Sequence, residues 1–319
     1  MTLKEKYANF FKIGAAVNPR TIVTRADILK THFNSLTCEN QTKPVCVTQD
    51  AMTYNFTEGD QVHAFARENG MDFRLHTLAW HQATPPALYD GKNRDEAIAA
   101  MDRHFSRMAA KYGDACAVDV VNEAVSDDDG EFLRKTPLLG IIGEDYLDIA
   151  YTLARKHFPN TTLVCNDYYE WKQGKSQRIV KLIRGMLERG VPVGAVGLQC
   201  HYILDDPGFD EVRRAIELYL TLGLRLQMTE MDVSLFGGRE MHGQTEPTRS
   251  QLERQADYYG KMFRIYREYA AHIDSVTFWG ICDTESWLNN FPVKNRPDWP
   301  LPFDGDGNGK ICLERIMDF

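Results

Sequence analysis

Eight short apolar runs, rich in β-branched and aromatic residues, recur along this chain and alternate with longer stretches of helical periodicity. The runs are Phe11–Val17, Phe33–Thr37, Phe73–Trp80, Ala117–Val121, Thr161–Cys165, Ala195–Cys200, Leu224–Met228 and Ser275–Trp279. Their composition favours strand over helix. The intervening stretches have one apolar face and readable ends. Glu58 to Asn69 puts Val62, Phe65 and Ala66 together and stops at Gly70, and Asp95 to Tyr112 repeats Ile98, Met101, Phe105 and Met108 before Gly113. Ser176 reads as the N-cap of a helix carrying Ile179, Ile183 and Leu187 and ending at Gly190. Such alternation implies a parallel sheet, and eight units close into a barrel. An open doubly wound sheet is the rival; it has fewer strands and a glycine-rich phosphate loop after the first, which Gly14-Ala15-Ala16-Val17 is not. The expectation is therefore an α/β fold, a (β/α)8 TIM barrel, with residues 1–319 forming a single domain.

No low-complexity segment or charge block divides the chain, and 43% apolar residues suffice for a large core. A net charge of −8 argues against a nucleic-acid partner and suits a neutral or cationic ligand. No apolar run reaches the length of a membrane span, and the polar stretch Met1 to Asn9 is not followed by the apolar core of a signal peptide. The seven cysteines are odd in number, lack CxxC spacing and do not form a disulfide framework. Cys38, Cys165, Cys200 and Cys282 sit in apolar runs, where a free thiol packs as a small core residue. A cytoplasmic location follows as the expectation, secretion or export with a cleaved signal peptide being the alternative. Nothing in the sequence fixes an oligomeric state.

Polar residues collect at the end of each run. The second leads into Glu39, Asn40 and Lys43; the third ends in His76, Trp80 and His81; the fourth in Asn122 and Glu123. The fifth ends in Asn166-Asp167-Tyr168, the sixth in Gln199 and His201, the seventh in Glu230 and Asp232, and the eighth in Trp279, Asp283 and Trp287. In this fold the C-terminal strand ends form the active face, so these side chains are expected to converge on one cleft. Amides and carboxylates bond hydroxyl groups and indole faces stack on pyranose rings, so the set suits a sugar polymer. His76 and His81 lack a zinc-binding pattern, and neither a metal nor a cofactor is expected. Glu123, behind Val118, Val120 and Val121, has the apolar surroundings of a proton donor. Glu230, with Asp232 two residues on and His201 on the neighbouring strand, has those of an ionised nucleophile.

The sequence resembles the family 10 glycoside hydrolases, chiefly endo-β-1,4-xylanases, over nearly its whole length. The resemblance is carried by Phe33 to Asn40, His76-Thr77-Leu78-Ala79-Trp80-His81, Asp119-Val120-Val121-Asn122-Glu123-Ala124 and Asn166-Asp167-Tyr168. Gly197-Leu198-Gln199-Cys200-His201, Thr229-Glu230-Met231-Asp232 and Thr277-Phe278-Trp279-Gly280 complete it in order. The segment Trp287 to Trp299-Pro300 is most similar to the compact intracellular members. The resemblance implies a retaining mechanism with Glu123 as acid/base and Glu230 as nucleophile, their carboxyls about 5–5.5 Å apart. It implies that His201 bridges Glu230 and Asp232, that Asn122 bonds the sugar 2-hydroxyl, and that His76 and Gln199 line the same subsite. Glu39, Asn40 and Lys43 hold the next xylose, Trp279 and Trp287 form an aromatic cover, and Trp80 is a further wall. The implied partner is xylan or xylo-oligosaccharide. A β-glucanase of the same wider clan is the runner-up, and a non-hydrolytic sugar-binding protein is the alternative of another class.

Four positions depart from the family's pattern: Val118 stands where Trp is usual, Gln82-Ala83 where Ser or Asn precedes Gln, and Tyr169 where Asn is usual. The fourth is the segment Asp304 to Lys310, which replaces a Lys-Pro-rich stretch. Asp304, Asp306, Asn308 and Gly309 match half of a calcium-binding loop, but its twelfth position is Arg315 instead of Glu, which favours an ordinary turn.

Overall fold

A computed structural model of the chain describes residues 1–241 and 243–319. Its barrel strands are β1 (Lys12–Val17), β2 (Ser35–Cys38), β3 (Asp72–Leu75), β4 (Ala117–Asn122), β5 (Thr162–Asp167), β6 (Ala195–Leu198), β7 (Arg225–Ser234) and β8 (Ile273–Phe278). Each pairs in parallel with the next, and β8 pairs with both β7 and β1, which closes the sheet. The (β/α)8 barrel is thus realised, with helices including Thr57–Glu68, Arg94–Tyr112, Tyr146–His157 and Arg249–Glu268 around it. Among the described residues no helix is long and apolar enough to cross a membrane.

All eight runs become strands, but the third and sixth are interrupted and the seventh extends six residues past its expected end. The third breaks after Leu75, where His76 and Thr77 leave the ladder, and resumes as Ala79–Trp80 paired to Val121 and Asn122. The sixth breaks at Gln199 and Cys200, the latter in the left-handed region at φ 61°, and resumes as His201–Ile203. That resumed segment pairs with Asp232, Val233 and Ser234, which is why β7 runs on to Ser234 instead of stopping at Met228. The helix assigned to begin at Ser176 begins at Gln173 instead. Ser176 is buried in its first turn, where its hydroxyl donates back to the Gln173 carbonyl at 3.0 Å. A serine there satisfies itself within the helix, so its N-cap preference does not mark the start.

Two apolar compartments result. The large one lies between the sheet and the helices; Ala117, Val164 and Ala195 form a small one of their own. Polar side chains also lie on the strands. The Arg74 guanidinium spans Asp119 and Gln227, with Nη1 2.6 Å from Asp119 Oδ2 and Nε 3.0 Å from Gln227 Oε1. A charge buried this deeply persists only when paired and hydrogen-bonded. This one is tied across β3, β4 and β7.

Candidate active site

Both glutamate-bearing strands contain an extra residue relative to a neighbour. On β4 the register against β5 shifts between Asp119 and Val121; on β7 the register against β8 shifts between Met228 and Met231. A bulge bends the strand and re-aims the side chains beyond it. Glu123 then leaves β4 at φ 59°, a conformation costly for a residue with a Cβ and typical of functional sites. Its backbone N–H is held by the Asn166 carbonyl at 2.9 Å, and Arg134 Nε donates to its carbonyl at 3.0 Å.

A hydrogen-bond chain joins the two carboxyls. Asn166 Nδ2 donates to Glu230 Oε1 at 2.7 Å and to Asn122 Oδ1 at 2.9 Å, and Asn122 Nδ2 donates to Glu123 Oε1 at 3.2 Å. Gln199 Nε2 reaches Asn122 Oδ1 and Glu123 Oε1, each at 3.3 Å. Thr229 Oγ1 donates to Asn166 Oδ1 at 2.6 Å, which fixes the orientation of that amide. Gly197 makes the arrangement possible: a Cβ there would lie 2.4 Å from Asn166 Oδ1.

The two carboxyls stand in opposite environments. Burial pushes Glu123 up to about 7; Asp167 and Glu230 add to this, while Trp80 and Gln199 oppose it. Burial also acts to raise Glu230, but the His201 contact, the nearby His76 and the Asn166 amide outweigh it and hold the group well below the carboxylate range. His201 Nε2 lies 3.3 Å from Glu230 Oε2 and Nδ1 3.0 Å from Asp232 Oδ1, while Trp287 Nε1 donates to Asp232 Oδ2 at 2.8 Å. One carboxyl is thus poised to give up a proton near neutral pH and the other stays ionised.

The other predicted residues lie near these groups. Lys43 is buried, with Nζ 2.8 Å from Asn40 Oδ1 and 4.7 Å from the Trp80 ring centroid. Burial lowers its pKa, while Glu230 and Glu39 act to raise it. Glu39 is raised chiefly by burial, against the pull of Lys43, and accepts from Asn18 Nδ2 at 3.5 Å. His76 stands edge-on to Trp279, the ring centroids 5.2 Å apart, with Nδ1 2.7 Å from Asp119 Oδ2. Trp287 stands 4.9 Å from His201 and stacks on Phe291. Sequence reasoning placed Asn166 at the cleft without assigning it a role, and assigned none to Thr229, Arg74 or Asp119. The signal for the last two was a charge inside a buried strand, at Arg74 in β3 and Asp119 in β4.

Comparison with known proteins agrees with this geometry. Residues 2–319 match Glycosyl hydrolase family 10. The chain belongs to glycosyl hydrolase family 10. It is 40% identical to endo-1,4-beta-xylanase A of Caldicellulosiruptor saccharolyticus, covering 100% of this chain and 96% of that protein. It is 38% identical to endo-1,4-beta-xylanase B of Paenibacillus barcinonensis, covering 99% and 97%. A solved mutant in complex with xylotriose superposes with a TM-score of 0.97 at 40% identity, covering 100% of both chains. Xylanase XynB from Paenibacillus barcinonensis, complexed with a conduramine derivative, gives 0.97 at 38% identity, covering 99% and 98%.

The departures from the family 10 pattern can now be placed. Gln82 is exposed and, among the described residues, makes no side-chain hydrogen bond. Ala83 is buried, and its backbone ties the Lys43 loop to Trp80: its N–H donates to the Trp80 carbonyl at 3.0 Å and its carbonyl accepts from Val45 at 2.8 Å. Val118 is fully buried at the base of β4. Tyr169 sits at φ 52° with the Lys172 ammonium 3.5 Å from its ring centroid. Asp304 Oδ1 accepts from the backbone of Asp306 at 3.0 Å and of Asn308 at 2.8 Å, so the loop's first carboxylate serves its own turn.

Proposed function

We propose that the chain is a retaining endo-1,4-β-xylanase acting on xylan or xylo-oligosaccharides. One observation carries the reading: two glutamates in opposite electrostatic environments share one cleft and one hydrogen-bond chain. In the first step Glu230 attacks the anomeric carbon while Glu123 gives its proton to the departing glycosidic oxygen, leaving a glycosyl ester on Glu230. In the second, Glu123, now a carboxylate, takes a proton from water as the water oxygen attacks the same carbon and the ester to Glu230 breaks. Two inversions give net retention. Asn122, held by Asn166, faces the sugar 2-hydroxyl, and His76 and Gln199 lie beside it. Glu39, Asn40 and Lys43 bind the next sugar, Trp80 forms one wall, and Trp279 with Trp287 covers the rings.

The substrate relation to the endo-1,4-beta-xylanases supports xylose over glucose in the chain being cut. The seven unpaired thiols support a reducing, cytoplasmic setting, where the substrates are short and imported. The test is cleavage of xylotriose against cellotriose, with the first-formed anomer followed by NMR. Faster xylotriose cleavage giving the β-anomer first is the expected result. Equal or faster cellotriose cleavage sinks the xylanase reading in favour of a β-glucanase. Activity unchanged in Glu230→Gln sinks the mechanism.

A further inference from the structure

Behind Glu123, between the Ala79–Trp80 segment and the loop that follows β4, lies a cavity of 220 Å³. Asn122, Glu123 and Ala124 form one wall. Three other lining residues carry buried polar atoms without a hydrogen-bond partner among the described residues: Trp80 Nε1, His81 Nδ1 and Tyr146 Oη. The Tyr146 side chain belongs to a residue only 1% exposed. Pro85, Pro86, Pro137 and Leu138 make part of the remaining lining apolar, while Thr84, Asp90 and Thr136, the last acting on Tyr146, make it partly polar.

Buried polar groups in native proteins are satisfied by protein or by ordered water, and orphaned ones rarely cluster. A cavity lined only by apolar groups stays dry; one with converging polar atoms and room for several molecules of roughly 30 Å³ holds water. Beyond the Trp80 side chain, which acts to lower its pKa, Glu123 has few donors for the state it must reach. Both protein amides that bond its carboxyl, from Asn122 and Gln199, go to the same oxygen, Oε1, at 3.2 and 3.3 Å. Once its proton has gone to the leaving oxygen, a full negative charge sits there, next to Asp167 and Glu230, which oppose it.

We propose that this cavity is a water chamber that solvates the Glu123 carboxylate, with Tyr146 and His81 as its positioning residues. The proposal rests on the reading of Glu123 as acid/base. The waters bridge Tyr146 Oη, His81 Nδ1 and the Trp80 indole, and add hydrogen bonds to the carboxylate beyond those from Asn122, Gln199 and Trp80. The charged groups facing Glu123 are Glu230 from β7, Asp167 from β5 and Lys43 from the loop after β2, with Tyr168 after β5 and Arg134 after β4 beside them. His81 is neutral in this setting: burial lowers its pKa to about 4, and Arg134 and Lys175 add to the effect. Its Nδ1 can therefore accept from or donate to water throughout the working range.

The experiment combines a high-resolution crystal structure of the protein with pH profiles of kcat/KM on xylotriose for Tyr146→Phe and Leu138→Phe. The first variant removes a water anchor and the second fills the chamber. The structure is expected to show ordered water within hydrogen-bond reach of Tyr146 Oη and His81 Nδ1. The alkaline limb is expected to move up by about half a unit or more, because losing donors to a carboxylate raises its pKa. A chamber without such water, or folded variants whose alkaline limb stays where it was, overturns the proposal. Tyr146→Phe alone carries the test if Leu138→Phe does not fold. Glu123→Gln separates the two readings: if the limb vanishes there but is unmoved in the chamber variants, only the chamber fails. If it persists in Glu123→Gln, the acid/base assignment itself falls.

Discussion

The imidazole of His201 stands between two carboxylates, 3.3 Å from Glu230 and 3.0 Å from Asp232, and both of its ring nitrogens are engaged. Burial acts to lower the His201 pKa, but Asp232 and then Glu230 outweigh it and hold the ring protonated well above the usual imidazole range. Both ends of the pH scale follow. The His201 contribution to stability is full below its ordinary value of 6.5 and is lost as pH rises through the raised folded value. The Glu230 contribution is present above 4.5 and is lost as pH falls through the depressed folded value. In His201→Gln the acid limb of kcat/KM should move up by about one unit, since Glu230 loses its largest stabilising contact. Urea unfolding at pH 7 should show a loss on the order of 3 kcal/mol. An unmoved acid limb would show that His201 does not set the nucleophile's charge.

Asn166 is the hinge of the chain between the glutamates, donating to Glu230 and Asn122 at once. Asn166→Asp replaces that donor by a like charge beside the nucleophile. The acid limb should rise and kcat/KM at pH 6 should fall about a hundredfold, the scale of losing one preorganised donor. Retained activity would mean that the amide only fills space.

Removing Arg74 leaves Asp119 buried without its guanidinium. Arg74→Met should destabilise the fold by about 3–5 kcal/mol, the cost of stranding a buried charge. It should also raise KM, because Asp119 orients His76. Denaturant melts read the first effect and steady-state kinetics the second. A variant as stable as the native protein would show that the pair is dispensable.

Val118 is completely buried and pairs with Leu75 and Leu163 on the neighbouring strands. Introducing the family's usual residue by Val118→Trp overpacks a site that has closed around a smaller side chain. A loss of about 1–3 kcal/mol is expected, with kcat/KM little changed. A gain in stability would reveal space that the packing around Val118 does not suggest.

The barrel was legible because its signal is repetitive: eight apolar runs and eight amphipathic stretches admit few topologies. Glu123, Glu230, His201 and Asp232 were legible for a related reason, since this fold gathers strand ends on one face. The breaks within the third and sixth runs were not. Neither run carries a glycine or proline at its break to mark it, and what interrupts them is tertiary: Thr77 bonds to the Asp119 carbonyl, and Cys200 turns into the left-handed region. Ser176 misled because a serine's capping tendency is local, and here its hydroxyl is satisfied by the Gln173 carbonyl inside the first turn.

By itself, the sequence determined the order of elements, the closure of the sheet and which polar side chains reach the C-terminal rim, because periodicity and strand direction are properties of the chain. Only the tertiary structure decided which carboxyl keeps its proton. That difference comes from burial beside the like charges of Asp167 and Glu230 at Glu123, and from His201, His76 and Asn166 around Glu230, contacts contributed by strands far apart in sequence. The same holds for the bulges that aim the two glutamates, the Arg74–Asp119 pair and the cavity that Glu123 helps to line. Each depends on distances between neighbouring strands, and the hydrophobic pattern of a single strand carries no record of them.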